Sequence, residues 1–142
     1  MRVDASAGVC LVMNLLFYLP RPGGRRNEIL GALTPFFSGG SLEVFPDLKS
    51  FAARLRRPKD PLSVSLIWNP TIADLREIAG MRDFLAGVRT LLVLPDQEKE
   101  TIALAHMIHP SYITYAEEGL PEIICVLGRL AEFYERGVAN RS

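Results

Sequence analysis

The sequence predicts an α/β domain, a three-layer doubly wound (βα)5 sandwich with a five-stranded parallel sheet in the order 2-1-3-4-5. Three observations carry this. Five β-prone segments alternate with five helix-periodic segments, the pattern of parallel strands joined by crossover helices. The first, third and fourth β-prone segments are apolar almost throughout, as strands covered on both faces must be. The second and fifth are shorter and more mixed, which suits sheet edges, and right-handed crossovers then fix the order.

Residues 1–8 read as an amino-terminal tail, 9–136 as the domain and 137–142 as a carboxyl-terminal tail. Residues 10–18 form the first strand, and PRPGGRR (20–26) is a loop. Residues 27–37 have helical spacing through Ile29, Leu30, Leu33, Phe36 and Phe37, with Pro35 weakening the last turn. Ser38-Gly39-Gly40 turns the chain into a short strand, 42–45, and Pro46-Asp47 opens a helix to about residue 57. Residues 62–68 are the third strand, which Asn69-Pro70 ends. A helix from residue 70 or 71 carries Ile72, Leu75, Ile78 and Ala79 on one face and reaches Phe84-Leu85 near its end. Residues 88–94 are the fourth strand. Asp96 is placed to cap a helix over 97–108. Residues 112–115 are the fifth strand, and 120–136 a long helix with Ile123, Ile124, Leu127, Leu130, Ala131 and Tyr134 on one broad face.

A chain of 142 residues suits one domain and can bury about 68–70% of its unfolded surface. Hydrophobic residues are 49% and charged residues 23%, the range of globular proteins. Lys+Arg and Asp+Glu are both 16, so the net charge is zero. Without a basic excess, no nucleic-acid partner is expected. Zero net charge also gives little colloidal repulsion and favours self-association. Cys10 and Cys125 lie in apolar runs and read as buried free thiols of a reducing compartment. The apolar run 9–19 has Asp4 as well as Arg2 before it, no cleavage pattern after it, and too few residues to span a bilayer. The expectation is a soluble cytoplasmic protein with no membrane partner. His106 and His109 are the only histidines and form no metal spacing, so neither metal nor cofactor is expected.

From residue 10 to about 136 the chain resembles the response-regulator receiver domain, the flavodoxin-like module of two-component signalling. The segment IWNPT (67–71) is similar to the family's segment around its phospho-acceptor. ALAHMIHPSYITYAEEGLPEIICVLGRL (103–130) follows the family's rhythm of fourth helix, turn, fifth strand and fifth helix. The residues that carry receiver chemistry are replaced. Where the family has an acidic pair for Mg²⁺ after the first strand, this chain has Tyr18-Leu19-Pro20-Arg21. Ile67 or Asn69 stands for the aspartate, Leu94-Pro95-Asp96 for the Ser or Thr after the fourth strand, and Tyr115-Ala116 for the lysine after the fifth. The resemblance thus implies a pseudo-receiver, with Pro20, Arg21, Asn69, Asp96 and Tyr115 marking the degenerate site. Asparagine carries no charge and cannot form the acyl phosphate an aspartate forms. Two roles are open to Asn69: capping the next helix, and a polar contact to a ligand or to the arginine loop.

Arg21, Gly23, Gly24, Arg25 and Arg26 define a possible anion site, because cations and backbone donors gather where the family keeps acids. A solvated turn and an internal latch to Asp96 or Glu117 are the alternatives. Asp96, Glu117 and Glu118 read as caps and surface charges, since no His, Ser or Cys joins them at that edge. Met107, Tyr112, Cys125, Val126 and Phe133 add apolar surface beyond a core stripe. On the fourth helix, fifth strand and fifth helix they are a candidate interface, and the resemblance raises that reading because receivers dimerise there. The leading expectation is therefore a non-enzymatic, non-phosphorylatable signalling module that works through a protein partner or a homodimer. The alternative is an anion- or nucleotide-binding sensor using the loop after the first strand. An enzyme ranks last, because no nucleophile–base pair can be named.

Overall fold

Five strands pair in parallel in the order β2-β1-β3-β4-β5 in the computed structural model, which describes residues 14–20, 26–37, 41–59, 63–117 and 119–141. The strands are β1 (Asn14–Tyr18), β2 (Ser41–Phe45), β3 (Ser63–Trp68), β4 (Arg89–Leu94) and β5 (Tyr112–Tyr115). Their registers align the carboxyl ends. Tyr18 lies beside Phe45 and Ile67, Trp68 beside Val93, and Leu94 beside Tyr115. This is a flavodoxin-like sheet, as the alternation of elements predicts.

Period-2 alternation sends apolar residues to both faces of the central strands. Leu15, Phe17, Val64, Leu66, Trp68, Leu91 and Val93 pack beneath α1 (Arg26–Leu33) and α5 (Gly119–Arg141). Leu16, Tyr18, Ile67, Leu92 and Leu94 face α2 (Leu48–Arg56), α3 (Ile72–Gly80) and α4 (Lys99–Met107). Phe51 and Leu55 of α2 and Leu75 and Ile78 of α3 are fully buried there. Each such side chain contributes about 1.5–3 kcal/mol relative to exposure.

Element ends differ from the sequence reading where local hydrogen bonds decide them. α1 stops at Leu33, and Thr34–Phe37 winds into a 3₁₀ turn. Pro35 lacks the N–H that another α turn needs, and Thr34 Oγ1 donates back to the Leu30 carbonyl at 2.6 Å. α3 ends at Gly80 instead of reaching residues 84–85, and a separate 3₁₀ turn covers Arg82–Leu85. α4 begins at Lys99 instead of 97, with Glu98 at its N-cap position. Asp96 does not cap it; Asp96 Oδ1 accepts the Glu98 N–H at 3.0 Å, closing a turn ahead of the helix. α5 runs to Arg141, through residues read as a tail.

Cys125 is an exposed free thiol, not a buried one. It lies on the outer side of α5, between the buried Ile123 and Leu127. Cys10 falls outside the described residues. Among the described residues no helix is long and apolar enough to cross a membrane.

Candidate functional site at the carboxyl edge of the sheet

Ligands of doubly wound sheets gather at the carboxyl ends of the strands, near the point where strand order reverses. Here that edge is bounded by Tyr18, Leu19 and Pro20 after β1, and by Trp68, Asn69 and Pro70 after β3. Leu94 to Asp96 follow β4, and Tyr115 and Ala116 close β5.

The end of β1 is closed by a tyrosine. Tyr18 is buried, stacks on Phe51 at 5.5 Å between ring centroids, and donates its hydroxyl to Asp74 Oδ2 at 3.1 Å. Burial first, then the charge and hydrogen bond of Asp74, push the Tyr18 hydroxyl well above the usual tyrosine range. Asp74 has a second task. Its Oδ2 accepts the Thr71 N–H at 3.2 Å while Thr71 Oγ1 accepts the Asp74 N–H at 3.0 Å. This reciprocal capping box starts α3. The Asp74 carboxylate is thus committed to a helix cap and a buried phenol. No group of three or more His, Cys, Asp or Glu that could hold a metal occurs among the described residues.

Asn69 is not the cap expected of it, because Thr71 takes that place. Asn69 has φ of 52°, in the left-handed region that asparagine tolerates better than most residues. Its N–H donates to the Val93 carbonyl at 2.7 Å, carrying the β3–β4 ladder one step past the strand. The turn then delivers the buried Pro70 and the cap Thr71. Asn69→Gly should leave stability within about 0.5 kcal/mol, while Asn69→Val should lose about 1–2 kcal/mol, read as a lower urea midpoint. Equal midpoints for the two variants would mean that this backbone shape does not select the residue.

The other calls distribute as follows. Pro20 is half-buried after Leu19, whose N–H donates to the Phe45 carbonyl at 3.0 Å. Arg26 Nη1 donates to the Leu19 carbonyl at 3.3 Å, so this arginine ties the start of α1 to the end of β1. Arg21, Gly23, Gly24 and Arg25 lie outside the described residues, as does Glu118. Asp96 is held by its own turn, Glu117 is exposed, and Tyr115 is half-buried at the edge.

α5 closes over the same edge at Gly119. A Cβ on Gly119 would lie 2.9 Å from Val93 Cγ1, 3.5 Å from Thr114 Cγ2 and 3.6 Å from Trp68. One turn on, Glu122 Oε2 accepts the Tyr112 hydroxyl at 2.8 Å. The Tyr112 and Thr114 hydroxyls hold the Glu122 carboxyl below its usual range, and that bond, then burial, raises the Tyr112 phenol.

The candidate interface divides. Tyr112 is a strut between β5 and α5, and Val126 is partly buried against the core. Cys125 is exposed, and Phe133 is 58% exposed with the Arg89 guanidinium 5.2 Å from its ring centroid. Met107, 48% exposed, is on the other side of the sheet, in a cleft between α3 and α4. Tyr18, Asp74 and Gly119 were not singled out from sequence. The Thr71-x-x-Asp74 spacing was a visible signal for the capping box, but nothing local announced the contacts of Tyr18 and Gly119.

No family model and no curated protein matches the chain. A solved structure does, that of a protein from Burkholderia pseudomallei K96243 described as pilus assembly-related. The TM-score is 0.60 at 16% identity, over 85% of this chain and 90% of that one. At that identity the likeness is one of fold. Fold and edge together define the class as a flavodoxin-like α/β domain with receiver-like topology.

Proposed function

We propose that this chain is a receiver-like module that accepts no phosphate and acts in the cytoplasm by binding a protein, whether a partner or a second copy. The observation that carries the reading is the Tyr18–Asp74–Thr71 closure at the carboxyl edge. An acyl phosphate needs a free carboxylate nucleophile and cations to neutralise developing charge. The Asp74 carboxylate is committed, Asn69 holds a turn, and Ile67 is a fully buried aliphatic residue. A domain that keeps this fold without that chemistry retains its surfaces as the means of action. The description of the structural neighbour supports pilus assembly as a setting in which to seek the partner.

The test is incubation with radiolabelled acetyl phosphate and Mg²⁺, for the natural chain and for Asn69→Asp. Neither should gain acid-labile label, because the variant restores one carboxylate and leaves the metal pair and the lysine missing. Stoichiometric labelling of the natural chain would overturn the proposal. Efficient, Mg²⁺-dependent labelling of Asn69→Asp would overturn the account of the edge.

A further inference from the structure

We draw no further inference here: the strongest candidate, the surface at the amino-terminal edge of the sheet where Arg56 lies over the exposed Phe84 and Arg89 over the exposed Phe133, sets its two rings on separate elements with the exposed acids Asp83 and Glu132 beside them, and nothing in the structure shows what covers it.

Discussion

Trp68→Ala should lower stability by about 3–5 kcal/mol, with a lower urea midpoint and an unchanged slope. Trp68 ends β3 at 5% exposure, meets Phe17 edge-on at 6.5 Å between centroids, and lies beneath the start of α5. Truncation leaves a void that the surroundings cannot fill. Phe17 and Val93 sit on strands held in register on either side, and Gly119 has no side chain to contribute. Trp68→Phe keeps most of the apolar volume and should cost less than half as much. A loss under about 1 kcal/mol for the alanine variant would mean that α5 settles onto the sheet and closes the gap.

Gly119→Val should cost about 1–3 kcal/mol from the opposite cause, too much volume. The added Cβ would approach Val93 Cγ1 to 2.9 Å, and the Val93 side chain is fully buried and β-branched, so it has little freedom to turn away. The clash pushes the first turn of α5 off the carboxyl edge, which should also loosen the Tyr112–Glu122 bond one turn later. Thermal melts of Gly119→Ala and Gly119→Val should therefore be ordered natural chain, alanine, valine. A valine variant as stable as the natural chain would show that α5 has room to shift.

The sheet was legible because its causes are local. The apolar runs of β1, β3 and β4 announce strands buried on both faces, and Gly, Pro and Asp punctuate them in order. The edge was less legible because its causes are distant. Tyr18 and Asp74 are far apart in the chain, and only the register of β1 against β3 brings them together. Asn69 between a strand and a helix looks like a cap, yet the backbone turns left-handed there and moves the cap to Thr71. Cys125 sits in an apolar run, but α5 is apolar around more of its circumference than it buries, so hydrophobicity alone misplaces the thiol. The candidate interface residues were legible only in part, because they wrap around the edge strand β5. Met107 and Phe133 belong to helices on opposite sides of the sheet, a separation set by crossover direction and not by residue type.

The central claim is that the carboxyl edge takes no phosphoryl group, and Trp68 offers a direct probe of it. It is the only tryptophan in the chain and stands at the end of β3, beside Asn69. Fluorescence titration with Mg²⁺ and beryllofluoride should leave its emission unchanged, because Ile67 and Asn69 stand where a receiver's aspartate would receive the phosphoryl analogue. A saturable change that requires both Mg²⁺ and beryllofluoride would contradict the account.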